Sequence, residues 1–197
     1  MAKFFAILSL IAWTATVSTI LLALARRTKP DSQAGLLFDD IERNAVWLAF
    51  VVALVTTLGS LYLSEIAHFV PCPLCWYQRI CMYPLTLALL VGALRRDDNV
   101  WAYVLPPALV GAAFAIYHTQ LQAFPHQHSS FCKAAEPCTI RYIWEFRFIS
   151  IPFMSLSAFA FIITMMFVTR ARQRAEEAFD DSELENEAPS LSVRGAS

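Results

Sequence analysis

Residues 45–79 read AVWLAFVVALVTTLGSLYLSEIAHFVPCPLCWYQR, and this stretch decides what kind of fold the chain can have. The run Ala45 to Ser64 carries no charged side chain and is long enough to cross a bilayer core, for which about 20 apolar residues suffice. It delivers the chain to Pro71-Cys72-Pro73-Leu74-Cys75-Trp76-Tyr77-Gln78-Arg79. Proline fits the first position of a helix, so Pro73 predicts a helix start there. Cys75 then lies in the first turn, where unpaired backbone amides and the helix dipole favour a thiolate. Arg79 follows at i+4 on the same face and brings a fixed positive charge within reach of that sulfur. Two thiols in this setting point to redox or nucleophilic chemistry at a membrane surface.

Working outward, the whole chain shares this apolar character. Its 197 residues are 57% hydrophobic with a mean hydropathy of +0.50, which excludes an ordinary soluble domain. Five segments are long enough to span: Phe4 to Ala25, Ala45 to Ser64, Trp76 to Leu94, Val100 to Tyr117 and Phe148 to Thr169. The expected fold is therefore an all-α polytopic membrane protein. The first segment has some features of a signal peptide, but its length and the basic group Arg26, Arg27 and Lys29 behind it favour a retained span. Arg43, Arg95, Arg96, Arg170, Arg172 and Arg174 fall on the same side as that group, and the positive-inside rule then places the N-terminus out and the C-terminus in. Three regions follow: 1–44, an N-terminal spanning helix with a linker of mixed charge; 45–169, a four-helix membrane domain; and 170–197, an acidic cytoplasmic tail expected to be disordered.

With this topology Cys72, Cys75, Cys132 and Cys138 all lie on the outer face, where disulfides form and persist. Cys81 falls inside the third span and reads as a small core residue. Cys132 and Cys138 sit in the long outer loop from Gln120 to Arg147, whose aromatic end, Tyr142 to Phe146, keeps it near the interface. Two pairs on one surface can exchange disulfides by thiolate attack. The blander alternatives are a structural staple at each pair, or a tetrahedral zinc site drawing on the four cysteines with His126 and His128. His118 leaves the membrane at the end of the fourth span and, beside Arg79, is a candidate hydrogen-bond donor to a membrane-embedded acceptor such as a quinone carbonyl. No glycine fingerprint for a dinucleotide is present, and nothing points to haem, flavin or nucleic acid. A thiol relay still has to discard two electrons, and the lipid phase offers a diffusing quinone.

The run from Pro71 to Arg79, the loop from Cys132 to Pro137-Cys138, and the return Phe148-Ile149-Ser150-Ile151-Pro152-Phe153 resemble the DsbB/BdbC disulfide bond formation proteins over about residues 45–169. The resemblance implies a four-helix bundle in the bacterial inner membrane that reoxidises an extracytoplasmic thioredoxin-fold, DsbA-like oxidase and passes electrons to ubiquinone or menaquinone. It implies that Cys75 contacts the quinone with Cys72 as its exchanging partner, that the oxidase attacks Cys132, and that Cys138 carries the link back to Cys72. Arg79 and His118 match the family's arginine after the C-x-x-C and a histidine near the quinone. No metal is implied. Departures are the extra N-terminal helix, the acidic tail, the short interval between Cys132 and Cys138, and Gln78 where some members have glutamate. The competing readings are a non-catalytic zinc-binding or disulfide-stapled scaffold, and an enzyme like vitamin K epoxide reductase, against which the 132–138 loop and Gln78-Arg79 weigh.

Overall fold

A computed structural model describes residues 2–28, 33–97, 99–124, 132, 138–139, 142–143 and 149–194, with side chains described up to residue 183 except those of residues 2, 27 and 34. The elements are α1 (Ala2–Thr28), α2 (Gln33–Arg43), α3 (Ala45–Leu61), a π-helical turn (Tyr62–Ile66), α4 (Pro73–Arg95), α5 (Val100–Ala123) and α6 (Ile151–Arg194). Five of these helical stretches are long and apolar enough to cross a membrane: Lys3–Arg26, Ala45–Ile66, Pro73–Arg95, Val100–Ala123 and Ile151–Glu183. The chain is an all-α polytopic membrane protein. Helices α3, α4, α5 and α6 pack in a ring, α3 on α4, α4 on α5, α5 on α6 and α6 back on α3, and α1 lies outside the ring against α6.

Small residues set how closely the helices approach, as expected where lipid supplies no hydrophobic drive between them. Ala45, Ala49 and Ala53 recur every fourth residue along α3 and are buried against the ring. Gly111 on α5 faces Phe159 on α6 so closely that a Cβ would overlap the ring, and a Cβ on Gly92 would meet Val100 Cγ2 at 2.5 Å. Hydroxyls tie neighbours across the core: Thr57 and Thr86 oxygens are 2.8 Å apart between α3 and α4, and Ser9 and Ser157 oxygens are 3.0 Å apart between α1 and α6.

Helix α4 starts at Pro73, where the proline predicts a helix start, with Cys72 as the capping residue. The linker of mixed charge is a short helix, α2, held by Arg26, which bonds Asp39 at 3.1 Å and Glu42 at 2.6 Å and lies over the Phe38 ring. The acidic tail expected to be disordered over 170–197 stays helical as far as Arg194. Its exposed side chains pair one turn apart, Arg172 with Glu176 at 2.7 Å and Gln173 with Glu177 at 2.9 Å, contacts that support a helix without a core.

Candidate active site

The redox residues converge at the end of the bundle where α3 finishes and α4 begins. The π-helical turn carries the α3 path past the last regular turn, with Ala67 N–H donating to the Tyr62 carbonyl. His68 then takes a left-handed conformation, φ 56°, and Phe69 N–H reaches back six residues to the Leu63 carbonyl at 3.0 Å, which closes the end of the π-helical turn. The chain therefore turns sharply and presents Pro71-Cys72-Pro73 to the start of α4. Trp76 N–H donates to the Cys72 carbonyl at 3.1 Å, which fixes Cys72 at the helix entry with Cys75 one turn further in.

Cys72 Sγ and Cys75 Sγ are 3.0 Å apart and are free thiols, whereas Cys132 and Cys138 are joined in a disulfide with Cα atoms 5.8 Å apart. The link between the two pairs is His118. Its Nε2 lies 3.2 Å from the Cys138 carbonyl and 3.7 Å from Cys72 Sγ, and its Nδ1 lies 3.1 Å from Gln78 Nε2. Because the Gln78 side-chain nitrogen can only donate, Nδ1 accepts and the proton resides on Nε2, shared between the carbonyl and the sulfur. The ring is fully buried. The Cys75 thiol donating to Cys72, with His118 adding a second donor, holds the Cys72 thiol well below the ordinary thiol range, against the opposing effect of burial. The helix-entry position suggested Cys75 as the anionic sulfur; the donors in the structure converge on Cys72.

Arg79 is not hydrogen-bonded to a sulfur among the described residues. Its Nε donates to Ser60 Oγ at 2.9 Å and its Nη2 to the Ser60 carbonyl at 2.8 Å, while the guanidinium lies 5.4 Å from the Trp76 ring centroid. It belongs with Cys72, Cys75, Gln78 and His118 to the lining of one cavity of about 600 Å3, otherwise largely apolar and bounded by α1, α3 and α6. That size lies within the roughly 300–1,000 Å3 of small-molecule pockets. An apolar chamber with an arginine and buried polar groups at one end is the donor arrangement that a lipid-soluble carbonyl compound requires, so the residues present fit a quinone. His118, expected as a donor to such a carbonyl, has both ring nitrogens engaged on the thiol side.

Gln78 and Ser60 were not singled out as functional by sequence reasoning. Gln78 carried a signal, its position three residues after Cys75 on one helix face. Ser60 carried none, since its value arises from α3 meeting α4. The zinc reading loses Cys132 and Cys138, whose sulfurs are bonded to each other. His126, His128, Pro137 and the stretch 144–148 lie outside the described residues, as do Lys29, Lys133, Arg141 and Arg147.

Comparison with known proteins supplies the remaining observations. The family described as disulfide bond formation protein DsbB matches residues 42–169. Disulfide bond formation protein C of Bacillus subtilis is 45% identical over 129 residues, 65% of this chain and 94% of that relative. The probable disulfide formation protein C of Halalkalibacterium halodurans is 45% identical over 120 residues, 60% of this chain and 88% of the relative. A probable disulfide formation protein of Coxiella burnetii is 37% identical over 145 residues, 71% of this chain and 99% of the relative. No solved structure matches.

Proposed function

This chain belongs to the DsbB family of disulfide bond formation proteins, a thiol-disulfide oxidoreductase family, and we propose that it reoxidises an extracytoplasmic, thioredoxin-fold oxidase and passes the electrons to a membrane quinone. In this reading the N-terminus and the cysteines face out from a bacterial cytoplasmic membrane, and the basic ends at Arg26, Arg95 and Arg170 face in. The observation that carries the proposal is His118 Nε2, within reach of both Cys138 and Cys72 at the wall of one apolar cavity.

The chemistry follows as two thiol-disulfide exchanges. A thiolate of the reduced partner attacks Cys132, breaking the Cys132–Cys138 bond, and the partner's second thiol resolves the mixed disulfide, leaving the partner oxidised and Cys132 and Cys138 as a dithiol. Cys138 then attacks Cys72 of an oxidised Cys72–Cys75 pair, and Cys132 closes the loop disulfide again, so both electrons now reside on Cys72 and Cys75. Attack on Cys72 expels the Cys75 thiolate, and the stabilised Cys72 thiolate is then the leaving group as Cys132 resolves the Cys138–Cys72 bond, since a thiol of low pKa leaves readily. Cys75 and Arg79 would hold a quinone at the polar end of the cavity, with His118 in the wall beside them, engaged on the thiol side. When bound, the quinone supplies an acceptor for two electrons and two protons. Gln78 keeps the His118 proton on Nε2, and Ser60 keeps the Arg79 guanidinium in the cavity wall.

The test is catalytic oxidation of a reduced thioredoxin-fold protein by the purified chain with added quinone. Cys75→Ser should abolish quinone reduction while the Cys132–Cys138 bond still exchanges with a dithiol; undiminished turnover in that variant sinks the assignment.

A further inference from the structure

Helix α1 lies ahead of the residues that match the family, which begin at 42, yet it is a wall of the redox cavity. Phe5, Ser9, Ile11, Ala12 and Ala15 line the same space as Cys72, Cys75 and Arg79. The helix is fastened at this end by the Ser9 to Ser157 contact at 3.0 Å, by the Trp13 ring stacked on Phe153 of α6 with centroids 6.2 Å apart, and by the Phe5 ring, which packs on Tyr62 and covers Gly59 on α3. Further along, the contact is one-sided. Helix α1 leans on α6, and Ile11 of α1, with Val51 and Val55 of α3, lines the cavity while remaining about half exposed. The space between α3 and α6 is thus closed by α1 beside the cysteines and open to the lipid side between α1 and α3.

We infer that α1 converts the groove between α3 and α6 into a chamber with a lateral portal between α1 and α3, and that a quinone enters there, its ring at Arg79 and its isoprenoid tail against Ile11, Ala12 and Ala15. The inference rests on the quinone reading above and adds what that reading leaves open: the side of entry, and a substrate-contacting role for a helix outside the family-matched region. A small-residue face at Ala12 and Ala15 leaves room for a tail, and apolar walls supply the burial that holds it.

The test uses the full-length protein in lipid vesicles with a photoreactive azidoquinone, in the presence or absence of excess unlabelled quinone. Trypsin releases Phe4 to Arg26 as a peptide distinct from Asn44 to Arg79, so mass spectrometry separates α1 from the C-x-x-C segment. Label on Phe4 to Arg26 that unlabelled quinone displaces is the expected result. Displaceable label confined to other peptides overturns the role of α1 and spares the quinone reading. The absence of displaceable label anywhere overturns both. A second arm replaces Ala12 with tryptophan: overpacking the portal should raise the KM for a long-tailed quinone about tenfold, the ratio given by about 1.4 kcal/mol. Leu21→Trp, on a lipid-exposed position of the same helix, should leave it unchanged. Equal KM values for the two variants also overturn the inference.

Discussion

Replacing His118 with alanine separates two effects that a thiolate embodies, and the structure supplies the magnitude of each. The imidazole contributes a donor 3.7 Å from Cys72 Sγ, a long contact, so its loss belongs at the low end of the roughly 1.5–3 kcal/mol for hydrogen bonds to charged groups. That corresponds to about a tenfold fall in the thiolate fraction of Cys72 wherever pH lies acid of its midpoint. The sign follows from the depressed folded value: a thiol whose anion is stabilised stays deprotonated to lower pH, and removing a donor moves the midpoint up. Nucleophilicity of the thiolate moves the other way, since it rises with basicity with a coefficient of about 0.4–0.5, or roughly threefold here. The two pH profiles should therefore cross. With reduced protein and iodoacetamide, alkylation of Cys72 in the variant should be about threefold slower on the acid limb and about threefold faster on the plateau. Adducts on Cys72 and Cys75 are separated by peptide fragmentation. A variant profile that coincides with the parent, or is merely scaled without a moved midpoint, refutes the assignment of His118 as a donor to Cys72.

Other outcomes follow from contacts elsewhere. Gly111→Ala drives a methyl group into the Phe159 ring at the α5–α6 contact and should cost about 1–3 kcal/mol, read as a lower unfolding temperature in detergent. Gly59→Ala meets only the Phe5 edge, at 2.9 Å, on the outer helix, and should cost less; equal losses would argue against a rigid ring with a more yielding α1. Ser60→Ala removes the acceptor of Arg79 Nε and should cost about 1 kcal/mol in guanidinium positioning, seen as roughly a fivefold rise in KM for quinone. The rate of dithiol exchange at Cys132–Cys138 should stay the same, and an equal fall in both rates would assign Ser60 to the fold rather than to the acceptor end.

Much of this protein was legible in its sequence because the governing signals are local. The apolar length from Ala45 to Ser64 is enough to identify a span, and Pro73 is enough to predict a helix start that presents Cys72 and Cys75 together. The parity of five spans brought Cys72, Cys75, Cys132 and Cys138 to one face, and in the structure they gather at one end of the bundle. Tertiary packing alone decided which groups these residues meet. Gln78 and His118 are 40 residues apart and Ser9 and Ser157 are 148 apart; no periodicity encodes such pairings, which exist only where one helix face lies against another. Local spacing set Arg79 one turn from Cys75, but the tie of its guanidinium is to Ser60, because the end of α3 places a hydroxyl and a backbone carbonyl within hydrogen-bond reach of it. The anion likewise belongs to Cys72, since hydrogen-bond donors carried on α4 and α5 converge there. Helix α1 reads as a span from its own residues, and it becomes a wall of the cavity only through its seat on α6.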